Sequence, residues 1–154
     1  MLGSYGDRLC LCDWQVEKHS VRIDRRLKRL LAADYKEGTS DIIEQAAREL
    51  DEYFAGGRRV FDVPLHFAGT DFQKAVWTAL LEIPFGSTLS YGELARILGC
   101  PGAVRAVANA NGANSISVFV PCHRVIGTDG SLTGYGGGVD AKRRLLEIEG
   151  LFFG

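Results

Sequence analysis

Cys122 and His123 stand side by side at the end of an apolar run, Ile116-Ser117-Val118-Phe119-Val120-Pro121, and this pairing could make a nucleophile. A thiol attacks only as thiolate, which requires a nearby cation, a basic imidazole or a helix N-terminus. His123 and Arg124 supply candidates at once. The apolar run reads as a buried strand, and Pro121 cannot donate to a ladder, so pairing is expected to stop where the cysteine begins. Cys122 would then sit on a rigid rim facing a cleft. Taken alone, the pair does not separate a nucleophile from an ordinary buried cysteine, the commoner fate of this residue in a core.

Two further features could serve such a centre. Thr133-Gly134-Tyr135-Gly136-Gly137-Gly138 is a glycine-dense loop whose backbone N–H groups could approach a ligand, although a surface loop would have the same composition. Glu149 falls at the C-terminus of the last predicted helix, where the helix dipole disfavours a carboxylate. If ordered it requires a cationic or imidazole partner, the alternative being an exposed side chain. Cys10 and Cys12 form C-x-C, with His19 and His66 as conceivable further ligands, but strand alternation and the spacings argue against zinc, and no metal site is expected. Cys10, Cys12, Cys100 and Cys122 are too few and too unevenly spaced for a disulfide framework, so free thiols in a reducing compartment are expected.

The elements that must position these residues fall into two parts. Residues 8–14 alternate as a strand with one face buried. Ile23, Leu27, Leu30 and Leu31 recur at helical spacing, and Asp41 to Phe54 forms a second amphipathic helix ended by Gly56-Gly57. Val60 to Pro64 reads as a short strand or extended linker, which places a soft boundary near residues 68–70. Thr70 and Gln73 form a capping box for a helix with Phe72, Val76, Trp77, Leu80 and Leu81 on its apolar face. Pro84-Phe85-Gly86 terminates it.

Ser90 and Glu93 make a second box for a helix over 91–98, followed by the turn Gly99-Cys100-Pro101-Gly102 and a helix over about 103–110. These are the dimensions of a helix-turn-helix, and equally of a plain αα-corner. Ala103, Ala106, Ala108 and Ala110 surround Arg105, the one long side chain, so this helix could approach a groove closely or pack tightly in a core. Asn111-Gly112-Ala113-Asn114 reads as the turn into the reactive run, and a last helix runs from about Asp140 through Glu149, closed by Gly150. The fold class is α+β: a small N-terminal α/β unit with a short sheet (1–69), then a mainly helical domain containing a helix-turn-helix (70–154).

Bulk properties fit a globular chain. The 154 residues can bury a proper core, and no segment is long and apolar enough to span a bilayer or has the form of a signal peptide, so an intracellular, cytoplasmic location is expected. A net charge of -1 argues against a large electrostatic surface for nucleic acid, yet residues 91–124 carry Arg96, Arg105 and Arg124 against Glu93 alone.

In that order, Ser90-Tyr91-Gly92-Glu93-Leu94-Ala95, Ala103-Val104-Arg105-Ala106-Val107, Asn111-Gly112-Ala113-Asn114, Pro121-Cys122-His123-Arg124-Val125-Ile126-Gly127 and Thr133-Gly134-Tyr135-Gly136-Gly137-Gly138 closely resemble the methylated-DNA-protein-cysteine methyltransferases, the O6-alkylguanine-DNA alkyltransferases. The resemblance spans about residues 70–150 and rests on several independent motifs in register. The N-terminal half resembles the family only loosely and reads as though a first strand were missing.

The resemblance implies a DNA repair protein that moves the alkyl group of O6-alkylguanine, with O4-alkylthymine a further candidate, irreversibly onto Cys122. Each molecule would act once, without a cofactor. His123 is implied as the base, acting through a water, and Glu149 as the carboxylate that orients it. Tyr91 would donate to the guanine ring. Arg105 would fill the stack after base flipping from a minor-groove approach, and Asn114 would hold the hinge. Tyr135, Gly136, Val125 and Lys142 would line or support the base pocket, and Gln73, Cys100 and Thr128 would touch the DNA backbone. Ser115, Ser117 and Gly136 depart from larger or cyclic residues in other members, which points to a roomier pocket. The implied partner is double-stranded DNA bound by a monomer, with no membrane. The alternatives are a non-enzymatic protein that recognises alkylated DNA, disfavoured because Cys122 is kept, and a cysteine hydrolase that would turn over repeatedly.

Overall fold

In the computed structural model, which describes residues 1–153, β1 (Leu2–Tyr5) and β2 (Arg8–Cys12) form an antiparallel hairpin, and α1 (Glu17–Leu31) and α2 (Asp41–Phe54) follow it. β1 lies ahead of the strand expected from the sequence. β2 is covered on both faces rather than one: Leu9 and Cys12 join the main core, while Cys10 and Leu11 pack with Ile23 and Leu27 of α1. Ser40 caps α2 by accepting from the Ile43 N–H, and the chain then runs irregularly through residues 55–70, with Leu9 and Leu65 paired in a single bridge. Leu30 is exposed, so the apolar stripe of α1 is narrower than its spacing suggests.

The second part is helical, as the α+β reading requires. α3 (Asp71–Leu80) starts at the full capping box, with the Thr70 hydroxyl accepting from Gln73 N–H and the Gln73 amide oxygen accepting from Thr70 N–H. Val76, Trp77 and Leu80 carry its buried face, and Phe72 and Leu81 stay exposed. β3 (Leu89–Ser90) leads into α4 (Tyr91–Ile97), which Ser90 caps. A turn through Gly99, at φ +74°, then gives α5 (Val104–Gly112). α3 packs on α5, where the indole N–H of Trp77 donates to the Ala110 carbonyl at 2.9 Å. α6 (Val139–Ile148) closes the chain, ended by Gly150 at φ +86°. Gly154, the last residue of the expected 70–154 domain, lies outside the described residues.

The apolar run before Cys122 is not a strand. Its N–H groups find scattered partners: Ser117 donates to the Cys12 carbonyl, Ile116 to the Asn114 side-chain oxygen, and Val120 to the Ile116 carbonyl. The result is a buried coil that turns at Val118, whose φ of +73° is unusual for a β-branched residue. The Cys12 N–H donates to the Ser115 carbonyl at 2.8 Å, so the N-terminal hairpin supplies both donor and acceptor to this coil. A 3-10 turn (Cys122–Arg124) and a two-residue β4 (Val125–Ile126), parallel to β3, follow.

α3 carries Trp77 against α5, so its cap matters for more than α3 itself. Thr70→Ala should cost about 1 kcal/mol. A thermal melt should show a midpoint about 2–4 °C lower, the usual response of a domain this size to such a loss.

Candidate active site

Cys122 opens the 3-10 turn and is buried, 5% exposed, rather than placed on an open rim. The coil that delivers it folds back on the core instead of ending at a sheet edge. Asn114 organises this turn. Its side-chain N–H donates to the Val120 carbonyl at 3.0 Å and to the Cys122 sulfur at 3.2 Å, and its oxygen accepts from Ile116 N–H. Burial pushes the Cys122 pKa up, while the Asn114 amide and the charge of Lys142 pull the other way without cancelling it. Burial thus favours the thiol form of this side chain.

His123, the next residue, is fully buried. Its Nε2 lies 2.6 Å from the Glu149 carboxylate, and its Nδ1 is buried without a hydrogen-bond partner among the described residues. Burial lowers the His123 pKa by more than the Glu149 bond raises it. A neutral ring that donates from Nε2 keeps the Nδ1 lone pair free to take a proton. No hydrogen bond joins the thiol to this ring among the described residues.

Glu149 has the partners its position demanded, and more than one. It accepts from His123, from the Arg124 guanidinium at 2.8 and 3.2 Å, from the Tyr53 hydroxyl at 2.7 Å and from the Gly86 N–H at 3.1 Å. Burial would raise its pKa, but the hydrogen bonds from His123 and Arg124 outweigh that and hold it at about 2. Tyr53 and the pairing role of Arg124 were not legible in the sequence. Tyr53 reads there as one apolar position at a helix end, and it lies 96 residues from Glu149.

The remaining predicted residues separate into a more buried group and an outer face. Lys142 is fully buried, and its ammonium donates to the carbonyls of Val125 at 2.6 Å and Thr133 at 2.9 Å, tying the glycine loop to β4. Burial lowers its pKa to about 8. The Tyr91 hydroxyl donates to the same Thr133 carbonyl at 3.3 Å, and the Tyr135 hydroxyl accepts from the Trp14 indole at 2.9 Å. The room expected beside Gly136 is filled: a Cβ built there would lie 2.5 Å from His19 Nε2.

Arg105 is exposed on α5, with Ala106 and Asn109 beside it. Thr128 is also exposed, Cys100 is half-buried in the turn between α4 and α5, and Gln73 is held in its capping box. The four cysteines are free. His19 is engaged by Asp13 and the Gly112 carbonyl, and the His66 ring lies tilted against Tyr5.

Glu149 and His123 both have folded-state pKa values below their unfolded ones. Each therefore contributes stability that is present above the unfolded value and lost as pH falls: from 6.5 downward for His123, and between 4.5 and about 2 for Glu149. Chemical denaturation against pH should show this acid slope. Glu149→Gln should flatten its lower part and cost about 3–5 kcal/mol near neutrality, because Arg124 is left buried without its counter-charge.

Residues 71–151 match the family model described as the DNA-binding domain of 6-O-methylguanine DNA methyltransferase. The methylated-DNA–protein-cysteine methyltransferase of Mycobacterium tuberculosis is 61% identical over 104 residues, which cover 68% of this chain and 63% of that protein. The chain thus matches less than two thirds of the length of this mycobacterial relative. The protein of the same name from Methanosarcina acetivorans is 50% identical over 123 residues, covering 80% of this chain and 79% of that one. Among solved structures, Mycobacterium tuberculosis OGT in complex with DNA superposes with a TM-score of 0.77 at 44% identity, over 97% of this chain and 85% of that one. The O6-methylguanine-DNA methyltransferase of Pyrococcus kodakaraensis gives a TM-score of 0.73 at 27% identity, covering 96% and 89%. With a family model over more than half its length and relatives of this identity, the chain belongs to the methylated-DNA–protein-cysteine methyltransferase family.

Proposed function

We propose that this chain repairs O6-alkylguanine in double-stranded DNA by transferring the alkyl group to Cys122, once per molecule. The observation that carries the reading is the buried Cys122 sulfur held by Asn114, next in sequence to a neutral His123 whose Nδ1 is free and whose Nε2 is anchored on Glu149. The thiol proton passes to Nδ1 through a water, and the sulfur then attacks the alkyl carbon in line. The S–C bond forms as the C–O6 bond breaks, and its electron pair goes to the guanine. Tyr91 offsets the charge developing on the ring by donating a hydrogen bond to it. No cofactor enters, and the thioether that results has no route back to a thiol by exchange.

The base reaches the thiol only if it leaves the stack, which costs a few kcal/mol. Arg105 fills the space it vacates. α5 approaches the minor groove with the small residues around Arg105, Asn114 holds the junction between that helix and the reactive coil, and Gln73, Cys100 and Thr128 border the DNA backbone. Backbone N–H groups around Tyr135 and Gly136 line the base pocket, with Val125 and Lys142 supporting it. O4-alkylthymine is a second candidate substrate. Among the described residues no helix is long and apolar enough to cross a membrane, and an intracellular, cytoplasmic monomer is part of this reading.

Incubation with a duplex carrying one O6-methylguanine should add a single methyl mass, mapped to Cys122 and stopping at one per protein. An unchanged mass with the lesion bound would instead mean a recognition protein. Cys122→Ala should retain lesion binding and lose transfer altogether. Arg105→Ala should slow transfer from duplex by about tenfold or more, in proportion to the unstacking cost. The free base, with no stack to open, should react at the unaltered rate. Equal losses on both substrates would remove Arg105 from the flipping step.

A further inference from the structure

Besides the hairpin and Tyr53, residues 13–26 of the N-terminal unit border the proposed pocket. His19, in the first turn of α1, places Nδ1 3.0 Å from the Asp13 carboxylate and Nε2 3.1 Å from the Gly112 carbonyl at the end of α5. Behind the same ring lies Gly136. The three atoms nearest a Cβ built there all belong to His19, at 2.5, 2.6 and 2.8 Å. Gly136 is not among the residues with positive φ, so what this position requires is the missing side chain and not a special backbone. One residue on, a Cβ at Gly137 would meet the Trp14 ring at 2.7 Å, and the Trp14 indole donates to Tyr135. Arg26, two turns along α1, donates to the Ala113 carbonyl at 2.6 Å.

These contacts span both walls of the proposed pocket: the end of α5 that leads to Asn114, and the glycine loop opposite. We propose that His19 is a specificity-determining residue. Its ring, wedged between Gly112 and Gly136, sets how far the 133–138 loop stands from Cys122 and thereby limits the size of the alkyl group transferred. The ring can donate to Asp13 and to Gly112 together only as imidazolium, and both the Asp13 hydrogen bond and the helix C-terminus favour that form. A doubly held ring is a firm stop. It occupies space that a glycine at 136 would otherwise leave to the substrate.

The proposal rests on the alkyl-transfer reading, and its test separates the two. Wild-type protein, His19→Ala, Gly136→Ala and the double variant are each incubated with duplexes carrying O6-methylguanine or O6-benzylguanine, and adduct mass is followed in time. His19→Ala should raise the ratio of benzyl to methyl transfer rates by about tenfold, the scale of one lost hydrogen-bonded stop. Gly136→Ala meets an anchored ring, so the loop must give toward Cys122 and the ratio should fall. In the double variant the new methyl group enters the space the ring has left, and the ratio should lie between those of the single variants.

A general loss of packing would slow both substrates together and leave the ratio unmoved. A His19→Ala protein that transfers methyl with an unchanged ratio overturns the inference, as does a Gly136→Ala ratio that rises. If His19→Ala does not fold, the direction of the Gly136→Ala change decides alone. Wild type that transfers neither group would end the alkyl-transfer reading itself, and this inference with it.

Discussion

A single buried carboxylate holds the centre of this molecule together. Glu149 sits at the C-terminal end of α6, where the helix dipole opposes it, and is kept ionised by hydrogen bonds from parts of the chain far apart in sequence: Tyr53 at the end of α2, Gly86 in the turn after α3, and His123 and Arg124 in the 3-10 turn. A charge buried this deeply is costly unless every lone pair is used. The geometry of the 3-10 turn is therefore tied to α2 and α6 at once. The orientation of His123 follows from the same demand, because the nitrogen that satisfies Glu149 cannot also serve the thiol.

The thiol lives under a different regime. Among the described residues no side chain but one hydrogen-bonds the Cys122 sulfur, and burial alone would make it inert. Asn114 is the exception, donating to the sulfur while its other bonds hold Val120 and Ile116. The residue that fixes the turn is thus also the one that favours the anion. Burial still favours the protonated sulfur, while Glu149 fixes the neighbouring imidazole through Nε2.

Much of this was legible in the sequence where the controlling physics is local. The capping box at Thr70 and Gln73, the Ser90 cap and the glycine stops at Gly99 and Gly150 depend on residues within a turn of one another, and these helices begin and end close to where they were expected. The need of Glu149 for a partner could be argued from its place on α6 alone. What stayed hidden depends on distant chain. The run Ile116-Ser117-Val118-Phe119-Val120 has a strand's composition, but its hydrogen bonds go to Cys12 and Asn114, and no periodicity encodes that choice. The tie between His19 and Gly112 spans 93 residues, and a histidine in the first turn of a helix carries no mark of what it will meet.

The indole hydrogen bonds have a practical consequence. The chain has two tryptophans, and each donates its N–H to a different segment: Trp14 to Tyr135 in the glycine loop, and Trp77 to Ala110 in α5. Trp77 is buried beneath the Arg26 guanidinium, while Trp14 is half-exposed beside the loop. Intrinsic fluorescence should therefore carry two separable signals. An added quencher would reach Trp14 first and follow the loop, and the shielded emission of Trp77 would follow the helix. The protein brings its own pair of optical reporters, one for the glycine loop and one for α5.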